Sequence, residues 1–117
     1  MDWRIKRVTT VLDQQYRDPP SIEQLADEVG LSPSRLAHLF REEEGKSIQS
    51  YVKERRLMMA ALFLVQTHER ISQIAYSVGF RDVSNFNHSF KRRFGMSPRE
   101  YRARHDLTGL APESPEA

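Results

Sequence analysis

The chain has 117 residues, of which 38% are hydrophobic and 29% charged, and its formal net charge is +2. This size fits one ordinary domain or two very small subdomains, and the composition is typical of a folded, soluble chain. There is no cysteine, which excludes disulfides, thiolate chemistry and cysteine-based zinc sites. No apolar run is long enough to span a bilayer, and residues 1–7 contain no apolar segment typical of an export signal. We therefore expect a cytoplasmic protein with no membrane partner.

Charge is distributed unevenly along the chain. Residues 18–45 contain seven acids and two bases, whereas residues 70–104 contain two acids and eight bases. A clustered excess of bases is expected of a protein with a polyanionic partner, although solvated surface residues produce the same pattern. Charge alone therefore leaves the partner open.

The order of apolar and helix-bounding residues predicts an all-α fold. No stretch alternates with period two, as a half-buried strand would. Ser21 and Ser32 are typical N-caps, since Ser21 has a glutamine three residues later and Ser32 is followed by proline. Gly30 and Gly79 each stand where a short helix must give way to a tight turn. The seven predicted helices cover residues 2–16, 22–29, 33–45, 48–66, 71–78, 83–94 and 98–104.

Apolar residues at helical spacing are expected to form the core. In the first helix these are Ile5, Val8 and Leu12, and in the third they are Leu36, Leu39 and Phe40. In the long fourth helix the expected stripe is Ile48, Tyr51, Val52, Met59, Ala60, Phe63 and Leu64. Phe90, Phe94 and Tyr101 also fall at core spacing, so we interpret them as packing residues.

The chain contains an internal repeat of about fifty residues. "IEQLADEVGL" aligns with "ISQIAYSVGF", and "SRLAHLFREEEG" aligns with "SNFNHSFKRRFG". Each copy reads as a short helix, a glycine turn and a second helix, which is the pattern of a helix-turn-helix. We therefore predict a first helix-turn-helix subdomain over residues 1–45, a linker helix over 46–66, a second subdomain over 67–105 and a disordered tail over 106–117.

The second helix of a helix-turn-helix enters the DNA major groove, so its outward residues near the N-terminus are candidate base readers. These are Ser34, Arg35, Ala37 and His38 in the first copy, and Val83, Ser84, Asn85, Asn87 and His88 in the second. Asparagine can pair with adenine, arginine with guanine, and valine or alanine can contact a thymine methyl. Bases one or two turns further on suit phosphates, namely Arg41, Lys91, Arg92 and Arg93.

The predicted linker helix matches the repeat of DNA. Paired recognition helices bind sites about 34 Å apart, which is one turn of the duplex. About 20 helical residues at 1.5 Å rise give roughly 30 Å. One chain would thus place two unlike readers in successive segments of the major groove, and the site should be asymmetric.

Several strings together resemble the DNA-binding domain of the AraC/XylS family of bacterial transcription regulators. They are "LSPSRLAHLFREEEG" with the following "YVKERRLMMAALFL", then "IAYSVGF" and "FKRRFGMSPREYR". The resemblance extends from about Ile5 to Arg104, and the Phe-Lys to Tyr-Arg string is its most specific part.

This resemblance implies a two-motif regulator, often an activator, that binds double-stranded promoter DNA and contacts RNA polymerase. It also implies control by a ligand-binding domain, which would be absent from this chain. The base-reading positions of the family fall on the residues already chosen in both copies and add Asp82. No cofactor or metal is implied.

Two features depart from the family pattern. Arg70 stands where the family usually has a capping serine or threonine, and the first copy ends in the acidic run Glu42 to Glu44. That run is either a solvated helix end or a surface for polymerase or another activator. We expect the basic second copy to be the stronger anchor on DNA.

Other classes of function fit less well. The chain has no Gly-rich phosphate loop, no nucleophile elbow and no metal-spaced cluster, so we expect no enzyme. His38 and His88 lack a second histidine at helical spacing, which argues against a metal site. A helical adaptor with a basic face for an acidic protein stays the alternative, and the steep salt dependence of DNA binding would discriminate the two.

Overall fold

In the computed structural model, residues 2–106 are described, and within that range seven α-helices form and no strand does. They are α1 Trp3–Gln14, α2 Ile22–Glu28, α3 Pro33–Glu44, α4 Ile48–Gln66, α5 Ile71–Ser77, α6 Val83–Phe94 and α7 Pro98–His105. The predicted all-α class and the number of helices are confirmed. The tail predicted over residues 106–117 lies, apart from Asp106, outside the described residues. None of the described helices is long and apolar enough to cross a membrane.

The helix boundaries follow local chemistry. Ser21 and Ser97 each form a capping box, in which the hydroxyl accepts from the N–H three residues later and that residue's side chain accepts from the serine N–H. Ser32 caps α3 by accepting from the N–H of Arg35 at 3.1 Å. Gly30 and Gly79 have φ of 74° and 113°, the left-handed region that ends both short helices. The bounds differ from the prediction by one or two residues, as fraying helix ends allow.

The chain divides into two compact units, Met1–Arg55 and Arg56–Ala117. The first unit has a core in which α1, α2 and α3 contribute most side chains. Its buried residues are Ile5, Val8, Val11, Leu12, Leu25, Ala26, Val29, Leu36, Phe40 and Val52.

A polar pair borders the core of the first unit. The ring of Tyr51 packs edge-on against Phe40, with centroids 5.6 Å apart, and its hydroxyl donates to Asp13 Oδ1 at 2.8 Å. Partial burial, together with the carboxylate of Asp13, raises the pKa of Tyr51 to about 12. Folding of this unit therefore favours the neutral phenol over the phenolate.

The second unit is built around aromatic rings. Phe86 and Phe90 of α6 are fully buried, and Phe90 stacks with Phe94 and meets Tyr101 of α7 at centroid distances of 4.5 and 5.4 Å. Such tilted and edge-on pairs add to the area burial of the rings. The packing role predicted for Phe90, Phe94 and Tyr101 is confirmed.

The apolar stripe predicted for α4 is partly wrong. Leu57, Ala61 and Val65 are buried although they were not predicted, whereas Met59 and Phe63 are only half-buried. The boundary between the two units falls inside this helix, after Arg55, so its two ends serve different cores. A single stripe drawn along the whole helix therefore could not fit.

Candidate nucleic-acid interface

Burial of one face of α3 fixes which residues its other face presents. Leu36 and Phe40, one turn apart, are both fully buried in the core of the first unit. All four candidate readers of the first copy are exposed as a result, namely Ser34, Arg35, Ala37 and His38. The candidate phosphate residue Arg41 is exposed in the last turn of the same helix.

The acidic end of α3 has partners within the first unit. Glu42 Oε1 lies 3.1 Å from His38 Nε2, one turn earlier on the same helix. Glu43 Oε1 accepts from the backbone N–H of Asp2 at 3.1 Å. Glu42 and Glu43 therefore both contact other residues of the first unit. The contact of Glu42 is with His38, which is a candidate base reader.

In the second unit, α6 is oriented by Phe86, Ser89 and Phe90, which are all buried. The candidate readers of this copy lie on the other faces of the helix. Ser84, Asn85 and His88 are exposed, and Val83 and Asn87 are half-buried. Both copies thus present polar side chains from the first two turns of a helix whose opposite face is anchored in a core.

Asp82 begins α6 as its N-cap. Its Oδ1 accepts from the backbone N–H of Asn85 at 3.1 Å, which satisfies one of the unpaired donors of the first turn. The residue that the resemblance adds as a base reader therefore also has a structural task. The sequence carried a signal for this capping role, since aspartate is a favoured N-cap residue and stands directly before the predicted helix.

A second hydrogen bond involves Asn85, and the sequence analysis did not predict it. The hydroxyl of Ser89, only 4% exposed, donates to Asn85 Oδ1 at 3.1 Å from one turn further along α6. Serine four residues after an asparagine in a helix is the signal that was available. The oxygen of the Asn85 amide therefore accepts from a buried hydroxyl.

The last turn of α6 is basic. Lys91, Arg92 and Arg93 are all exposed, and the guanidinium carbon of Arg93 lies 4.9 Å from the centroid of the Phe94 ring. Positive charge at a helix C-terminus is favoured by the helix dipole, which stabilises this cluster.

A shallow open cavity of about 380 Å³ joins this basic turn to the start of α7. Asn87, His88 and Lys91 of α6 line it together with Arg99 of α7. The sequence analysis did not select Arg99 as a candidate site residue. Its only available signal was its position directly after the Ser-Pro start of the last helix. The remaining lining residues are Ile71, Ser97 and Pro98.

One carboxylate lies near this cavity. Glu100 Oε1 accepts from the N–H of Ser97 at 3.1 Å, and these capping-box contacts lower the pKa of Glu100, helped by the charges of Lys91 and Arg104. Among residues 2–106 no group of three or more His, Asp or Glu side chains could hold a metal ion.

Two recognition-type helices, each with an anchored face and an outward polar face, define a helix-turn-helix DNA-binding protein. The family profile described as "Helix-turn-helix domain" matches residues 25–104. The chain belongs to the AraC/XylS family of transcription regulators, as the resemblance predicted, and within that family it is a DNA-binding domain and not an enzyme.

Three similar proteins illustrate the match. The arabinose operon regulatory protein of Escherichia coli K12 is 38% identical over 104 residues, which cover 88% of this chain and 36% of that protein. The HTH-type transcriptional activator RhaS of Escherichia fergusonii is 32% identical over 92% of this chain and 38% of its own. An AraC-type transcriptional regulator from Chromobacterium violaceum has a crystal structure with a TM-score of 0.82 and 29% identity, covering 91% of this chain and 95% of that one.

The chain spans a little over a third of the length of these curated relatives.

Proposed function

We propose that this chain is the sequence-specific reader of a transcription activator, with α3 and α6 inserted into successive major-groove segments of one promoter. The observation that carries the proposal is the shared geometry of the two helices. Leu36 and Phe40 in α3, and Phe86 and Phe90 in α6, are buried at equivalent positions. The candidate readers of both helices are exposed or half-buried, and a major groove is wide enough to admit one such helix.

The side chains of α3 suit a short direct readout. Arg35 can donate two hydrogen bonds to guanine, and Ala37 can contact a thymine methyl. Ser34 and His38 are polar and exposed beside them. Arg41, one turn later, suits a phosphate, which positions the helix without reading sequence.

The side chains of α6 offer more candidate DNA contacts than those of α3. Val83 suits a thymine methyl, while Ser84, Asn85, Asn87 and His88 can hydrogen-bond to base edges. Asp82 keeps a second carboxylate oxygen besides the one that caps the helix. The phosphate contacts proposed here are Lys91, Arg92, Arg93 and, from the cavity wall, Arg99. This greater number of bases makes the second unit the stronger anchor.

Two readers in one chain support binding to two groove segments. Paired recognition helices bind sites about 34 Å apart, which is one turn of the duplex. Because Arg35 and Ala37 of the first reader are replaced by Asn85 and Asn87 in the second, the preferred site is asymmetric.

Partners beyond DNA follow from the relatives. One of them is by name a transcriptional activator, which supports an activating role. RNA polymerase at the promoter is the protein partner that we propose for that role. A ligand-binding domain outside this chain would then govern DNA binding, and the protein would work at the chromosome in the bacterial cytoplasm.

Selection of duplexes from a random pool tests this proposal. The expected product is a site with two unlike elements whose centres are about 10.5 base pairs apart. A single element, or a palindrome, would contradict the two-reader arrangement. Affinity for the selected duplex should fall steeply with salt, whereas an adaptor for acidic proteins would select no duplex at all.

A further inference from the structure

We infer that Ser89 is a positioning residue for Asn85, and that the pair makes Asn85 a hydrogen-bond donor that reads guanine. The inference rests on the proposed function, since it assigns a base to one residue of the second reader. It starts from the hydrogen bond of 3.1 Å that the Ser89 hydroxyl donates to Asn85 Oδ1.

The burial of Ser89 explains why its hydroxyl forms a hydrogen bond to the amide oxygen of Asn85. Ser89 lies between the buried rings of Phe86 and Phe90 in sequence and is only 4% exposed, whereas Asn85 is exposed. A buried hydroxyl needs a hydrogen-bond partner, and the amide oxygen of Asn85 supplies it. The carbonyl end of the amide therefore turns back to the helix surface.

The other end of the amide carries two donors. Oδ1 already accepts from Ser89, so Nδ2 with its two donors is the end of the Asn85 side chain with the greater capacity to bind a ligand. The backbone N–H of Asn85 is donated to Asp82, so the helix cap fixes the backbone of Asn85 while Ser89 restrains its side chain. A side chain restrained in this way loses little rotamer freedom when it binds.

Donor and acceptor patterns in the major groove then decide which base fits. Bidentate pairing with adenine requires the asparagine oxygen to accept from the N6 amino group while Nδ2 donates to N7. Guanine presents two acceptors, N7 and O6, and so matches a side chain that offers donors. Asn85 should thus prefer guanine, which differs from the adenine pairing that asparagine alone predicts.

The test compares base preference at one position of the selected site. Asn85→Ala identifies the position by removing its preference, and the base preferred there by the unmodified chain should be guanine. Ser89→Ala should reduce that same preference roughly tenfold while the rest of the site is unchanged, and the double variant should lose no more than Asn85→Ala alone. Replacing the guanine by 7-deazaguanine, which lacks the N7 acceptor, should weaken binding of the unmodified chain but not of Asn85→Ala.

Controls separate positioning from folding. Ser77→Ala removes another hydroxyl of the second unit, one that donates to the carbonyl of Ile74, and should leave the base preference intact. Asn85→Asp keeps an acceptor for Ser89 and removes both donors, so it should abolish the guanine preference even where Ser89→Ala is poorly folded.

Three results would overturn the inference while the proposed function stands, and the first two concern base preference. One is selection of adenine at the Asn85 position, and the other is an unaltered guanine preference in folded Ser89→Ala. If Asn85→Ala weakens binding equally on all sequences, Asn85 contacts phosphate and the inference also fails. Absence of any preferred sequence for the unmodified chain would refute both claims together.

Discussion

Arg102 of α7 donates a hydrogen bond from Nε to the carbonyl oxygen of Leu64 at 2.9 Å. That carbonyl is among the last four of α4, which have no partner within their own helix. Arg102 is only 6% exposed, so this hydrogen bond is formed in a largely buried environment. The bond ties the end of α4 to the last helix of the fold.

Replacing this arginine should destabilise the second unit. Arg102→Ala removes a charge-assisted hydrogen bond and leaves a buried carbonyl without it, at a cost of about 2 kcal/mol in the free energy of unfolding. Hydrogen exchange of buried amides in α5 and α6 measures the loss. Arg104→Ala, an exposed neighbour on the same helix, serves as the control and should change little. Equal protection in both variants would mean that the Leu64 bond contributes nothing.

The turn at Gly79 should tolerate no β-branched residue. Its φ of 113° is a region that valine avoids, so Gly79→Val should cost roughly 1–3 kcal/mol. Gly95→Asn is the matched control, because asparagine accepts the left-handed φ of 78° found there. Urea unfolding followed by helical circular dichroism compares the two. A Gly79→Val protein as stable as the control would show that the turn can rearrange.

The phenol of Tyr51 should make the first unit sensitive to alkaline pH. Its pKa rises from 10.0 to about 12 on folding, so the folded unit holds the proton more tightly than the unfolded chain. The resulting stability is complete below pH 10 and is lost as pH rises from 10 to 12. Tyr51→Phe should therefore lose less stability across this window than the unmodified chain, in urea unfolding at pH 9 and 11.5.

An exposed tyrosine provides the control for this experiment. Tyr76 lies in the second unit with 57% of its surface accessible, and Tyr76→Phe should follow the pH profile of the unmodified chain. A parallel profile for Tyr51→Phe would mean that the hydrogen bond to Asp13 is not coupled to folding.

Arg92 should contribute affinity without sequence preference. Arg92→Ala is expected to weaken binding by a similar factor on every duplex and to reduce the salt slope by about 0.9. Lys6→Ala removes an exposed base from α1, outside the proposed interface, and should leave both quantities unchanged. A changed base preference in the Arg92 variant would make it a reader instead of a phosphate contact.

Local chemistry explains why the helices were predictable. The caps at Ser21 and Ser32 and the turn at Gly30 depend only on residues a few positions away, so their types and spacing carried the information. The same holds for the exposed face of α6, because Phe86 and Phe90 dictate which way it points.

The features that escaped prediction depend on side-chain partners or on the division of the chain. Leu57 and Val65 are buried because α4 belongs to two units, which its own periodicity did not reveal. The bond from Ser89 to Asn85 and the place of Arg99 beside Lys91 required coordinates, since sequence spacing permits but does not impose them.

The central claim is that one chain carries two readers of different sequence, and a footprint on the selected duplex tests it most directly. Hydroxyl-radical cleavage of the complex should show protection on one face, in two blocks about one helical turn apart. Arg35→Ala should relax base preference only within one block, and Asn87→Ala only within the other. Protection confined to one block, or variants of α3 and α6 that affect the same block, would contradict the account.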